Sequence, residues 1–260
     1  MSDEMIFAEE RQNKIVSMLK SRNKLFVNEL CELFGVSTVT IRNDLNQLEK
    51  KGLLKRTHGG AIPCVKTGFE QTSQQKSEKK RLEKERIARA AAKLIEDGDT
   101  VAIDTGTTAY ALAEALDGKQ NVTVVTTDIK IANLLEKYQG ISVIIAGGKV
   151  RKGFTCTVGA ITNSILSEFN VDKAFIATNA VTSSGRLCTP DIEQAQVKKQ
   201  LINMGTQVIL ICDSSKFGSH SFADFGSLSS VDTVITDEMP DESFIKLLKE
   251  NNTEIEVAGK

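Results

Sequence analysis

The sequence has no apolar run longer than five residues, as in Val208–Cys212. A helix needs about 20 to cross a bilayer, so no membrane-spanning helix and no membrane partner are expected. Histidine is scarce, with only His58 and His220, which leaves imidazole chemistry little room. The five cysteines, at 31, 64, 156, 188 and 212, are an odd number and form no CxxC pair. Neither a zinc ribbon nor a dithiol redox site is suggested, and no metal is expected. Neither a Walker loop nor a GxGxxG fingerprint occurs, so no nucleotide cofactor is indicated. The opening Met1-Ser2-Asp3-Glu4-Met5 lacks the basic-then-apolar layout of a signal peptide, and a cytoplasmic location is expected.

What is present is an ordinary globular composition of 260 residues, 40% hydrophobic and 26% charged, long enough for two domains. The net charge of −1 hides an asymmetry. Residues 1–86 carry 17 Lys/Arg against 12 Asp/Glu, and the remainder carries 16 against 22. A basic head on an acidic body suits a polyanion partner at the head, although such a surplus also arises as plain surface variation. Between Pro63 and Glu85 the pattern changes. Residues 67–77 are polar and Gly/Ser/Gln-bearing, with too little apolar surface to offset ordering entropy. The expected division is residues 1–62, a linker over 63–78, and residues 79–260.

Three helices fit the head. The first covers about Ala8–Lys20, with Ile15, Met18 and Leu19 inward; the second covers about Asn28–Phe34, with Leu30, Leu33 and Phe34 inward. Gly35 ends the second, and Ser37 caps a third that runs from Thr38 to about Lys50. That third helix buries Ile41, Leu45 and Leu48. Outward it presents Val39, Asn43, Asn46 and Lys50, flanked by Thr40, Arg42 and Gln47, with no carboxylate along the centre. A short helix, a Gly-containing turn and a polar helix suit major-groove insertion, though a polar face is equally a solvated one. Arg reads guanine and Asn reads adenine through bidentate bonds. After Gly52, Leu53–Ile62 forms two short extended pieces, a wing whose Lys55, Arg56 and His58 would meet phosphates or a minor groove.

The second domain alternates strands at Thr100–Ile103, Val122–Thr126, Ser142–Ala146, Lys173–Ala177, Gln207–Cys212, Thr233–Thr236 and Glu254–Val257 with amphipathic helices. This predicts βαβ units and a largely parallel sheet covered on both faces. The leading candidate site is Asp104-Thr105-Gly106-Thr107-Thr108, strand into loop into helix, where backbone N–H groups and the helix dipole favour an anion. It also reads as an ordinary βα connection. Three further loops fall at strand carboxyl ends, where open α/β sheets collect ligands: Thr126-Thr127-Asp128, Ala146-Gly147-Gly148 and Asp213–Gly218. Arg151 and Lys216 are available as positive charge for a phosphomonoester. Each reads equally as exposed surface.

Together the motifs resemble a known family. In the head, Glu10-Arg11, Val27, Glu29-Leu30, Phe34-Gly35-Val36-Ser37, Thr40–Leu45, Leu48-Glu49, Gly52, Arg56 and His58-Gly59-Gly60-Ala61 resemble the winged helix-turn-helix of DeoR-family regulators of sugar metabolism. In the body, Asp104–Thr108, Ala146-Gly147-Gly148, Asp213–Gly218 and Ile235-Thr236-Asp237 resemble the sensor domain of the same family. The implied fold class is α/β, a winged helix-turn-helix followed by an α/β sensor domain similar to ribose-5-phosphate isomerase and CoA-transferase-like folds. The implied function is a repressor released from its operator by a phosphorylated sugar or related effector. DNA is expected at Ser37, Thr38, Val39, Thr40, Arg42, Asn43, Asn46, Lys55, Arg56 and His58. The effector is expected at Asp104, Thr105, Gly106, Thr107, Thr108, Thr127, Asp128, Gly147, Gly148, Arg151 and Lys216.

Three departures stand out: Asn43 where a second arginine is common, Thr178-Asn179-Ala180-Val181 where a glycine-and-aspartate segment is usual, and Thr127-Asp128 in place of asparagine-serine. The last two fall where sugar hydroxyls would be read, so a constitutive DNA binder with a vestigial sensor is the alternative. An isomerase-like enzyme is the rival class, but no pair of carboxylates has a defensible catalytic spacing. Two-fold operators call for at least a dimer. The movable element is expected in the linker and the helix around Lys79–Leu94.

Overall fold

A strand whose neighbouring side chains are all apolar needs cover on both faces, and a parallel sheet between helices provides it. The computed structural model describes residues 7–21, 24–51, 53–57, 59–63, 70 and 72–259. The chain divides into two compact units, residues 1–66 and 67–260.

The first unit contains α1 (Ala8–Ser21), β1 (Leu25–Phe26), α2 (Val27–Phe34), α3 (Thr38–Lys50), β2 (Leu54–Thr57) and β3 (Gly60–Pro63). The strands form an antiparallel sheet in the order β1-β3-β2. Ile15, Leu19, Leu30, Ile41, Leu45, Leu48 and Leu54 share one core. Gly35 ends α2 in the left-handed region at φ 63°, and the Ser37 side chain accepts the Thr40 N–H at 3.2 Å to cap α3. One expectation fails. Leu33 is 55% exposed, because the short α2 turns only Val27 and Leu30 fully inward. His58 and Gly52 lie outside the described residues.

The second unit begins with α4 (Ser73–Ser77), α5 (Arg81–Lys93), β4 (Thr100–Ile103), α6 (Thr107–Glu114), β5 (Val122–Thr126), α7 (Ile129–Leu135) and β6 (Ile141–Ile145). It continues through β7 (Lys149–Arg151), β8 (Cys156–Val158), α8 (Ala160–Leu166), β9 (Val171–Ala177), β10 (Ala180–Val181) and β11 (Arg186–Thr189). The last elements are α9 (Ile192–Met204), β12 (Gly205–Ile211), β13 (Ala223–Ser227), β14 (Thr233–Thr236), α10 (Glu242–Glu250) and β15 (Glu254–Val257). Seven strands form one sheet in the order β15-β14-β12-β9-β4-β5-β6, each neighbouring pair parallel. These are the seven strands read from the apolar runs. Successive residues split between two cores: Ala102, Val125, Ala174, Ile176 and Leu210 on one face, and Val101, Ile103, Val124, Phe175 and Ile209 on the other.

The strand order fixes where a ligand belongs. From β4 the chain winds outward through β5 to β6, then returns to place β9 on the other side of β4. Between β4 and β9 the winding reverses, and the carboxyl ends there leave a crevice. Two additions escaped the sequence reading, the β7–β8 hairpin and the antiparallel sheet β10-β11-β13. Within the polar stretch expected to be linker, residues 73–77 are helical, with a Thr72–Gln75 capping box. Among the described residues no helix is long and apolar enough to cross a membrane.

Candidate functional site

On α3, Ile41, Asp44, Leu45 and Leu48 are buried, which leaves Thr38, Val39, Arg42 and Asn43 exposed on the opposite side. The buried Asp44 is the surprise. Its carboxylate accepts from Arg11 Nε at 2.6 Å and from Gln12 Nε2 at 3.1 Å, so α1 braces α3 through a charged pair inside the core. Arg11 and Gln12, 6% and 5% exposed, occupy inward positions that the apolar count had left out.

The wing is fastened to α3. The Arg56 guanidinium donates to Asn46 Oδ1, and the Arg56 N–H donates to Glu49 Oε1 at 2.7 Å. Two of the expected DNA-contacting residues are therefore bonded to each other, while Lys55 on the same strand is exposed. Ser37 spends its side chain on the cap, and Thr40 shares a 2.9 Å hydroxyl contact with it.

In the second unit, Asp104 directly follows β4 at the reversal point and is fully buried. Its Oδ2 accepts from the Ala177 N–H at 3.0 Å and pairs with Lys198 Nζ, which also donates to Ala177 O at 2.8 Å. Lys198 from α9 thus bridges the ends of β4 and β9. Asp104 Oδ1 is buried without a hydrogen-bond partner, as are Thr127 Oγ1 and Gln194 Nε2. Arg56 Nε, Thr57 Oγ1, Arg86 Nε and Asn163 Oδ1 are likewise buried and unpartnered, so what sets these three apart is that they accompany the strand-end loops.

The loop after Asp104 turns at Gly106, whose φ of 126° excludes side chains at low strain. Its donors are already engaged. Thr105 Oγ1 donates to Asp128 Oδ2 at 2.6 Å, and the Gly106 N–H is bonded to the same carboxylate. Asp128 also caps α7 through the Lys130 and Ile131 N–H groups. Burial raises its pKa, against the pull of these hydrogen bonds. Thr107 and Thr108 begin α6, whose first N–H groups lack intrahelical acceptors.

The remaining expected residues take unequal parts. Gly147 and Gly148 turn β6 into the hairpin, and a Cβ at Gly148 would stand 2.1 Å from Thr162 Oγ1, so this glycine answers to close packing. Lys216 Nζ lies 3.7 Å from Asp213 Oδ2. Burial would raise the Asp213 pKa, but Lys216, Ser215 and Lys80 outweigh it and hold the carboxyl low. Lys80, in the left-handed region at φ 50°, donates to Ser214 Oγ at 3.0 Å and to Asp237 Oδ2 at 3.3 Å. Arg151 Nη2 meets Glu70 Oε2 at 2.7 Å, its Nε lies 3.4 Å from Asp191 Oδ2, and its guanidinium rests 3.9 Å from the Phe154 ring centre.

Glu70, Lys76, Lys80, Gln194 and Lys198 were not read from the sequence as site residues, whereas Asn179 was noted only as part of the departing segment. For two of them a signal existed: on α9, Gln194, Val197, Lys198 and Leu201 recur at the core spacing and are all buried, so two polar residues stand in an inward stripe. Thr178, in the departing segment, is also buried, its hydroxyl donating to Ala180 O at 2.9 Å.

Comparison with known proteins finds matches in both units. Residues 11–67 match the DeoR-like helix-turn-helix domain, and residues 79–238 match the DeoR C terminal sensor domain. The glycerol-3-phosphate regulon repressor of Escherichia coli K12 is 35% identical over 251 residues, 95% of this chain and 98% of its own. The HTH-type transcriptional repressor GlcR of Bacillus subtilis 168 is 36% identical over 251 residues, 96% of each chain. Among solved structures, ribose 5-phosphate isomerase A from Methanocaldococcus jannaschii aligns over 52% of this chain and 53% of its own, at 21% identity and a TM-score of 0.39. On the two domain matches and the near full-length identity to these repressors, the chain belongs to the DeoR family of transcriptional regulators.

Proposed function

We propose that this chain is a DNA-binding repressor of a sugar or sugar-derivative operon, released by a phosphorylated metabolite held in the second unit. One observation carries the reading of the second unit: Lys198, Asp104 and the α6 amino end meet at the β4/β9 reversal point, with further cations at Arg151 on β7, Lys76 on α4 and Lys216 in the turn after β12. Three buried polar atoms there, Asp104 Oδ1, Thr127 Oγ1 and Gln194 Nε2, lack protein partners. A polyol supplies hydroxyls that both donate to the carboxylate and accept from the amide. The cations suit its phosphate.

Release follows from linkage. An effector that prefers the arrangement unable to hold DNA weakens operator binding by the same coupling free energy, typically ~1–3 kcal/mol. The head would place α3 in the major groove, with Arg42 and Asn43 at base edges and Lys55 at phosphate. A two-fold operator calls for at least a dimer.

The decisive measurement is fluorescence anisotropy on the DNA upstream of the chain's own gene, at fixed salt, with and without a panel of sugar phosphates. Tight binding relieved by one compound is the expected result. Tight binding relieved by none would favour a vestigial sensor, and interconversion of aldose and ketose phosphates in the same mixtures would favour an enzyme.

A further inference from the structure

Glu70, in the polar stretch before α5, sets a carboxylate against Arg151, Lys76 and Asn179. The Glu70 side chain is 9% exposed. Its Oε2 accepts from Arg151, and its Oε1 accepts from Lys76 Nζ and, at 3.3 Å, from Asn179 Nδ2. Arg151 and Asn179 are 81 and 109 residues away in sequence, one on β7 and the other just beyond β9. We infer that Arg151 and Asn179 form the cradle that is the subsite for the effector's phosphate, and that Glu70, tied to Lys76 of its own segment, is the occupant in the ligand-free chain. This rests on the sensor reading above and adds where the anion goes and what it must displace.

Three observations favour this place over the Gly106 loop. First, the loop's Thr105 hydroxyl and Gly106 N–H already serve Asp128. Second, Lys198 is tied to Asp104, and Lys80 and Lys216 to Asp213, whereas Arg151 meets Asp191 only through Nε, at 3.4 Å, and turns its Nη2 to Glu70 at 2.7 Å. Lys76 is paired with Glu70. Third, the cradle is built to persist when Glu70 leaves. Asp191 and the Phe154 ring both hold Arg151, and Asp191 is itself fixed as the cap of α9.

The occupant is exchangeable on charge grounds. Burial would raise the Glu70 pKa, but Lys76 and then Arg151 outweigh it and hold the carboxyl below its ordinary value. It is therefore a monoanion set between two cations, whereas a phosphomonoester brings nearly two negative charges and three acceptor oxygens. Arg prefers such oxygens in bidentate geometry. Displacing Glu70 would break its tie to Lys76 and so loosen α4.

The competition has a measurable size. If Glu70 fills the cradle about nine-tenths of the time, it weakens apparent phosphate affinity about tenfold. The test uses the full chain, wild type, Glu70→Gln and Arg151→Gln, with inorganic phosphate and then the sugar-phosphate panel. Calorimetry reads affinity, and hydrogen exchange reads the backbone amides of residues 72–79. Without ligand, Glu70→Gln should speed exchange of that segment severalfold. With ligand, it should tighten phosphate about tenfold, and phosphate should speed the same exchange in wild type. Arg151→Gln should speed exchange and abolish the phosphate effect.

Unchanged ligand-free exchange in Glu70→Gln overturns the occupancy, even where a sugar phosphate binds, and leaves the sensor reading intact. Faster exchange with no phosphorylated compound bound by any variant overturns the sensor reading and this subsite together. Unaltered near-ultraviolet circular dichroism verifies that each variant is folded.

Discussion

At the scale of single residues, buried charges are the features on which these two units depend most. Asp44 sits in the head's core between Arg11 and Gln12. Removing one member of a buried pair leaves its partner's desolvation uncompensated, typically at 3–5 kcal/mol. Asp44→Ala should therefore destabilise the head by about 3 kcal/mol in urea unfolding, and should lower DNA binding through α3 although Asp44 reaches no base. A loss under about 1 kcal/mol would mean that the pair is dispensable. Lys84 gives a test against pH. Burial pulls its ammonium down to about 8 from the ordinary 10.5, with Asp213 opposing and Lys216 and Lys76 assisting. Between those values the unfolded chain keeps a proton that the folded chain has released, so stability from this group rises with pH across that window. The unfolding free energy of wild type relative to Lys84→Met should grow from pH 8 to 10. A flat or falling difference would contradict the assignment.

At the scale of elements, the junction between β6 and β7 is held by contact between Gly148 and Thr162. A methyl group at 148 would meet Thr162 Oγ1 at 2.1 Å, in a backbone conformation at φ 148° that side chains rarely adopt. Gly148→Ala should cost about 2 kcal/mol, within the range for overpacking, and Thr162→Ala should recover part of it in a double-mutant cycle. Full additivity would show that the two do not touch. The same scale shows what was legible in advance. The seven sheet strands could be read because each is a short apolar run between turn residues, and α3 because its inward residues keep the helical period. The hairpin β7–β8 and the sheet β10-β11-β13 escaped because Lys149–Arg151, Ala180–Val181 and Arg186–Thr189 are too short or too polar to show a period. The candidate site was suggested where loops follow strands, as at Asp104–Thr108. It was not legible where long-range pairing makes it: nothing local ties Glu70 to Arg151, and although Lys198 stands in the inward stripe of α9, nothing local ties it to Asp104.

At the scale of the whole molecule, charge is divided as the two tasks require, with the surplus of Lys/Arg in residues 1–86 and the surplus of Asp/Glu beyond them. Operator affinity should fall linearly on a log–log plot against salt, and Lys55→Ala should reduce the slope by about one unit. An unchanged slope would remove Lys55 from the phosphate contacts. Chain order adds a consequence in time. All parts of the head lie within residues 1–66 and share a core of their own, whereas the parallel sheet pairs β4 with β9 and takes its last strand from Glu254–Val257. At about 5–20 residues per second, synthesis of the remaining chain takes roughly 10–40 s after the head is complete. Every new molecule therefore has its DNA-reading half well before it has a sheet to sense with, and it is made as a reader first and becomes a switch afterwards.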